Sequence, residues 1–378
     1  HADDPAFQAP SKFIGPVYSR DEAETRATAA GWSIAQDGDK WRRVVPSPKP
    51  QDIPDLRVLR LLLDQGVIVI CTGGGGIPVL RLPDGSMTGI EAVIDKDLAA
   101  SLIARQTSAD VLVIATDVDG TLLDDDEKVT ARTRSAVHAA VSAGVQFVLA
   151  TGRPPRWVTP IVDQLGFAPM AVCANGAVLY DPAADRIVSA RTLSADALAG
   201  LAEIATRVIP GAGLAVERVG RSAHDAATPQ FVSSPGYEHA WLNPDNTEVS
   251  VEDLLSAPAV KLLIRKAGAR SADMAAALLD HIGTEGDITY STNNGLIEVV
   301  PLGISKATGI EEVARPQGIE AAAVVAFGDM PNDVPMLGWA GLGVAMGNAH
   351  PDAVAAADEV TATNADDGVA RVLERWWP

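Results

Sequence analysis

The strongest constraint on this chain is the run at 111–116, VLVIAT, which passes straight into Asp117-Val118-Asp119-Gly120-Thr121. Mostly apolar residues, several of them β-branched, closed by a turn signal predict a buried strand of a parallel sheet. Alternation along a strand sends Asp117 and Asp119 to one side and Val118 to the other. Carboxylates converging at the carboxyl end of a buried strand stand where open α/β sheets place their chemistry. An acidic turn after a strand has the same composition, so this segment alone does not decide. A calcium loop of the EF-hand kind is excluded by spacing. It needs Gly at its sixth position and Glu at its twelfth, whereas Gly120 is fourth and Lys128 twelfth.

The residues after 116 repeat the pattern. A helix is expected over 133–143, a strand over 145–150 followed by Thr151-Gly152-Arg153, and a strand over 170–174 closed by Asn175-Gly176. Strands alternating with helices imply βαβ units and a parallel sheet. Residues 182–300 change character, with a helix over 192–207, a strand over 261–265, a helix over 271–282 and strands near Ile288 and Ile297. Inserted between strands of one sheet, such a mixed α+β block is placed to cover a site, exclude water and read a substrate. Beyond 300 the βα rhythm returns. Ser305-Lys306 opens a helix, and a strand over 323–327 leads into Gly328-Asp329-Met330-Pro331-Asn332-Asp333. Further carboxylates and an amide at a second strand end supply the hard oxygen ligands that magnesium prefers. Lys306 is ambiguous by itself, because a lysine in a first helical turn is ordinarily exposed.

Residues 1–110 form a different block. A helix is expected over 55–64, then a strand over 67–72 and four glycines, Gly73 to Gly76. Glycines after a strand allow close approach to an anion, but a flexible turn reads the same way, with neither a dinucleotide fingerprint nor a Walker lysine present.

The formal net charge of -19 argues against a nucleic-acid or anionic-membrane partner, since both require a basic surface. Apolar residues make up 47% and aromatic ones 4%, as in an Ala- and Val-rich α/β protein. No apolar run reaches the length of a membrane span and the first residues carry no signal-peptide pattern, so a cytoplasmic location is expected. Cys71 and Cys173 lie on expected strands, where buried thiols are the default reading and a disulfide is not expected. The chain opens on His1, as a fragment or processed product would.

Residues 1–7, 11–16, 41–50, 73–78 and 92–99 resemble the middle of a carbamate kinase. In that family the glycine stretch and the segment matching Asp95, Lys96 and Asp97 lie near the transferred phosphoryl group. The family's glycine-rich amino-terminal segment and its nucleotide-binding half have no counterpart here, so the kinase site is expected to be incomplete and little rate is expected from it.

Residues 111–378 resemble the haloacid dehalogenase superfamily, in particular its Cof-type phosphatases. The matching motifs are Asp117-Val118-Asp119-Gly120-Thr121, Thr151-Gly152-Arg153, Lys306 and Gly328-Asp329 with Asn332-Asp333, together with Asn175-Gly176, Glu298 and Asn348 in shorter matches. Ala307 departs from a usual glycine and Met330 from a usual small residue. The resemblance implies an α/β fold: a Rossmann-like core with a parallel sheet over 111–181 and 301–378, an inserted α+β cap of the C2 type over 182–300, and an incomplete α/β kinase-like segment over 1–110.

It also implies roles. Asp117 is the nucleophile that forms an aspartyl-phosphate, and Asp119 the general acid and base. Thr151 and Lys306 stabilise the phosphoryl group, with Gly152, Asn175 and Asn332 completing its surroundings. Mg2+ is the implied cofactor. It is assigned to Asp117, Asp119 (through its backbone carbonyl), Asp329 and Asp333, the last of these with Asn332 orienting the metal's waters. A general base at 119 favours hydrolysis over a long-lived intermediate. The expected enzyme is a Mg-dependent phosphatase of a small phosphorylated metabolite, a sugar phosphate or a phosphorylated cofactor. The alternatives are a phosphomutase-like phosphotransferase, a carbamate kinase-related protein with a remnant kinase segment, or an interaction protein in which residues 1–110 mediate association; a homo-oligomer is among the expected partners. Both resemblances claim the strand at 111–116. It is expected to pair within the phosphatase core, which leaves residues 1–110 less well packed and marks a fusion or assembly crossover at this point.

Overall fold

The computed structural model describes residues 4–377 except 39, 65–76, 83–85, 95–98, 100–101, 103–112, 226 and 242. The strand expected at 67–72, Cys71, the glycines Gly73 to Gly76 and the segment Asp95, Lys96 and Asp97 therefore lie outside the described residues. The chain divides into two units, His1–Asp110 and Val111–Pro378.

In the first unit, the strands Lys12–Tyr18, Lys40–Val45 and Ser33–Asp37 form an antiparallel sheet in that spatial order. The helix Arg20–Ala30 starts where Ser19 caps the backbone N–H of Glu22 and stops at Gly31, whose left-handed φ of 69° ends it without strain. A second helix, Leu56–Asp64, and a two-stranded ribbon of Val79–Arg81 with Met87–Gly89 complete its described elements. Among these residues Val44, Val45, Leu59 and Ala23 are buried, while Val58, Leu61, Ile77 and Met87 are exposed.

The second unit is built on an eight-stranded sheet. In spatial order its strands are Arg186–Ala190, Val178–Asp181, Met170–Cys173, Gln146–Ala150, Val113–Thr116, Val324–Gly328, Leu342–Ala345 and Glu359–Val360. All neighbours from Met170–Cys173 to Glu359–Val360 pair in parallel, as the βα rhythm requires. The strand claimed by both resemblances, Val113–Thr116, pairs on one side with Val324–Gly328 and on the other with Gln146–Ala150, so it belongs to this sheet. Alternate residues feed two cores. Ile114, Leu149 and Phe327 face the helices Ala131–Ser142 and Gly368–Leu373, and Val113, Val148 and Ala326 face Lys306–Ala314 and Val334–Trp339. Each fully buried Leu, Ile or Phe contributes about 1.5–3 kcal/mol, which fixes the strands, and hence their carboxyl ends, side by side.

Between the strands Arg186–Ala190 and Val324–Gly328 the chain builds a second sheet of six strands. Its order is Asn246–Glu248, Phe231–Ser233, Gly213–Glu217, Lys261–Arg265, Leu296–Val300 and Asp287–Thr289. One face, with Leu214, Leu262, Ile264, Ile297 and Val299, packs on the helices Ala195–Val208 and Ser271–Ile282. The other face carries Ala215, Phe231, Leu263 and Leu296 under Tyr237, and beside them three charged residues, Glu217, Lys261 and Glu298, all buried. Cys173 is a free, buried thiol whose burial pushes its pKa far up. Among the described residues no helix is long and apolar enough to cross a membrane.

Candidate active site

The site forms where the parallel strands end. The Val113–Thr116 strand stops one residue before Asp117, which is still extended but leads into a tight turn over Val118–Leu122. The two carboxylates therefore part company instead of lining one strand face. Asp117 is buried, whereas the Asp119 side chain is more than half exposed and receives Arg153 Nε at 2.9 and 3.1 Å on its two oxygens. Gly120 explains the turn. It adopts φ 67°, and a Cβ there would lie 2.3 Å from Asp329 Oδ2, so only glycine lets that carboxylate come so close.

Lys306 is the centre of the charge arrangement. Its helix is capped by Ser305, whose hydroxyl accepts from the Thr308 N–H, and Gly176 leaves room for Ser305 to seat against it. The side chain is fully buried, with Nζ 2.8 Å from Asp117 Oδ1 and 2.6 Å from Asp333 Oδ1. Burial alone lowers an ammonium pKa, yet Asp117 and Asp333 outweigh it and hold Lys306 above its ordinary value. Asp333 spends its other oxygen on the backbone N–H groups of Asp329 and Met330, both at 2.9 Å. Asp329 Oδ1 accepts from Thr121 at 2.8 Å.

Asp117, Asp329 and Asp333 bring ligand atoms within 4.8 Å of one another. Burial, then the neighbouring Asp333, push Asp117 well above the usual carboxylate range against the pull of Lys306. The same two causes bring Asp329 to about 7. Three carboxyl groups facing one ammonium crowd more acidic oxygens together than Lys306 can pair, which suits a divalent cation. A buried acceptor, Asn332 Oδ1, has no hydrogen-bond partner among the described residues, which suits a metal-bound water. The Asp119 carboxylate is not in this group, and its expected place among the metal ligands is through its backbone carbonyl.

Thr151 follows the adjacent strand Gln146–Ala150 and is fully buried. Its Oγ1 accepts from the Arg153 N–H at 3.0 Å, leaving the hydroxyl hydrogen for an acceptor. A Cβ at Gly152 would lie 3.1 Å from Asn175 Oδ1 and 3.7 Å from Asn332 Nδ2. The Asn175 amide, expected beside the phosphoryl group, is engaged at both ends: Oδ1 accepts from Asn332 Nδ2 at 3.1 Å and Nδ2 donates to Glu298 Oε2 at 2.8 Å. Asn348 donates to the Gly120 carbonyl at 2.8 Å and steadies the turn from behind.

Several participants carried no role in the sequence reading. Arg153 was visible only as the third letter of the Thr151-Gly152 motif. Lys261 pairs with Glu298 and donates to the Gly152 carbonyl at 2.9 Å. Arg156, five per cent exposed, reaches Glu217 at 2.6 Å and Asp245 at 2.7 Å, and Trp157 meets Trp241 edge-on at 6.1 Å. These contacts tie the loop after Thr151 to the second sheet.

Comparison with known proteins agrees with this geometry. The family model for haloacid dehalogenase-like hydrolases matches residues 114–373, and that of the amino acid kinase family matches residues 21–146. A haloacid dehalogenase-like hydrolase from Bacteroides thetaiotaomicron is similar in structure at 25% identity and TM-score 0.54, over 70% of this chain and 99% of that one. A subclass IIB sugar phosphatase of the same superfamily shares the fold at 24% identity and TM-score 0.58, over 70% of this chain and 98% of its own. The carbamate kinase of Haemophilus influenzae is 55% identical over 121 residues, which are 32% of this chain and 39% of that protein. The chain thus spans well under half the length of that kinase.

Proposed function

Because this chain belongs to the haloacid dehalogenase-like hydrolase family, we propose that it is a Mg-dependent phosphatase that cleaves a small phosphorylated metabolite, a sugar phosphate or a phosphorylated cofactor, through an aspartyl-phosphate on Asp117. The observation that carries this reading is the buried Asp117 carboxylate, 2.8 Å from the Lys306 ammonium and grouped with Asp329 and Asp333.

A carboxylate oxygen of Asp117 attacks phosphorus, and the bond from phosphorus to the ester oxygen breaks. Asp119 gives its proton to that leaving oxygen and then takes one from the water that attacks the aspartyl-phosphate. The second attack breaks the bond between the Asp117 oxygen and phosphorus, releases inorganic phosphate and restores both carboxyl groups. Lys306 and the Thr151 hydroxyl donate to the phosphoryl oxygens as charge redistributes. Arg153 holds Asp119 in the free site, and an arriving phosphate dianion competes for that guanidinium, which frees Asp119 to turn toward the leaving oxygen. Asp117, Asp329 and the Asp119 carbonyl would hold Mg2+, with Asp333 and Asn332 steadying its surroundings. When bound, the metal offsets the repulsion between carboxylate and phosphate. The inserted sheet serves as a cap that closes over the strand ends and selects the substrate. The name of the sugar phosphatase that shares the fold is in keeping with this substrate class.

The test is phosphate release from a generic aryl phosphate with and without Mg2+, followed by a screen of phosphorylated metabolites. Asp117→Asn is expected to abolish release while leaving the fold intact, and near-normal turnover in that variant overturns the mechanism. Turnover of a sugar phosphate without free phosphate would favour the mutase alternative. Residues 1–110 are read as a remnant kinase-like segment, in line with the limited span of the carbamate kinase match.

A further inference from the structure

Lys261 and Glu298 stand on neighbouring strands of the inserted sheet, and each is 3% exposed. Glu298 is in register with Leu263, two residues from Lys261, so both side chains leave the same sheet face. Each uses its remaining capacity on the strand-end loops of the other sheet. Lys261 Nζ donates to the Gly152 carbonyl at 2.9 Å. The N–H of that same peptide unit, belonging to Arg153, donates to Thr151 Oγ1 at 3.0 Å. One rigid plane thus carries the position of Lys261 to the Thr151 hydroxyl. Glu298 takes Lys261 on Oε1 and Asn175 Nδ2 on Oε2, and Asn175 in turn accepts from Asn332, the neighbour of Asp333.

A buried ion pair is by itself no better than well-packed apolar residues, so its presence asks for another reason. Here the free bonds of the pair run to two strand-end loops, one carrying the Thr151 hydroxyl and the other Asn175, which accepts from Asn332.

We propose that Lys261 and Glu298 are positioning residues for phosphoryl transfer: they fix the Gly152–Arg153 peptide and Asn175, and through these the Thr151 hydroxyl and the Asn332–Asp333 loop. The inserted sheet is on this view part of the catalytic machinery as well as a cover over it. The inference rests on the phosphatase reading given above.

Lys261→Met keeps the volume of the side chain and removes its donor. In the full-length chain with Mg2+ and an aryl phosphate, kcat should fall roughly 10- to 100-fold while KM stays within about threefold, because misplacement of a loop is felt in the transition state. Inhibition by orthovanadate, a trigonal-bipyramidal mimic, should weaken by the same factor as kcat. Lys261→Arg should recover part of the loss. Should Lys261→Met fail to fold, the double variant Lys261→Met with Glu298→Gln removes the pair together, leaves no uncompensated charge and must show the same loss of kcat. A folded Lys261→Met or double variant with the parent kcat and orthovanadate inhibition overturns the proposal and leaves the phosphatase reading standing. Absence of turnover in the parent chain overturns the phosphatase reading, and this inference with it.

Discussion

Lys306 Nζ lies 2.6 Å from Asp333 Oδ1, and neither side chain is reached by solvent. The other Asp333 oxygen is committed to two backbone N–H groups, so the ammonium is held from a fixed point while it faces Asp117. Lys306→Met strips Asp117 and Asp333 of their cation and removes a donor to the phosphoryl group. Loss of one such donor costs about 10²- to 10³-fold in kcat, and loss of one partner of a buried pair costs about 3–5 kcal/mol of stability. Both effects are expected together, read by steady-state kinetics and by thermal melting in the presence of Mg2+.

The acidic group predicts how pH and metal act on stability. Burial and Asp333 place Asp329 at about 7 in the folded chain, against about 3.9 for an unfolded aspartate. The folded state therefore binds this proton more tightly. Its contribution is present in full below about pH 4 and is lost as pH rises toward about 7. Magnesium competes for the same oxygens, so its effect runs the other way. The rise in Tm on adding Mg2+ should be small near pH 5 and largest near pH 8, and Asp329→Asn should flatten the trend. An equal rise at both pH values in the parent would speak against Asp329 as a ligand.

Gly120 offers a substitution with a narrow expected outcome. Alanine at φ 67° is strained, and its Cβ would lie 2.3 Å from Asp329 Oδ2. The flexible carboxylate gives way first, out of the position that groups it with Asp117 and Asp333. Gly120→Ala should raise the Mg2+ concentration for half-maximal activity by about tenfold or more, with a stability cost of about 1 kcal/mol from the backbone. Metal titration of activity beside melting curves separates the two effects.

The legible part of this site was the part written at strand ends. Asp117, Asp119, Thr151, Asp329 and Asp333 each follow an apolar run, and parallel strands bring such ends together. Lys306 was ambiguous because first-turn lysines are normally exposed; its burial depends on Gly176 letting Ser305 seat closely, a tertiary contact. Lys261 was silent, and Glu298 stood in a motif match without a role, for a different reason. Each stands in an apolar strand segment, and period-two alternation distinguishes two faces without saying what covers the second. The split between Asp117 and Asp119 was hidden as well, since it follows from the strand ending one residue early at a glycine turn.

The last prediction concerns the first unit. Every side chain assigned to the site lies between Asp117 and Asp333, and each of their hydrogen bonds and ion pairs described above closes within Val111–Pro378. The central strand Val113–Thr116 is paired on both sides inside that unit, so no partner strand from residues 1–110 is needed to complete the sheet. A chain starting near residue 108 should therefore keep kcat and KM within about twofold. The same experiment reads out association: if the shortened chain has the sedimentation behaviour expected for its mass and the parent does not, residues 1–110 mediate self-association. If instead activity falls with the truncation, the kinase-like segment takes part in building or shielding the site, and its reading as a remnant fails.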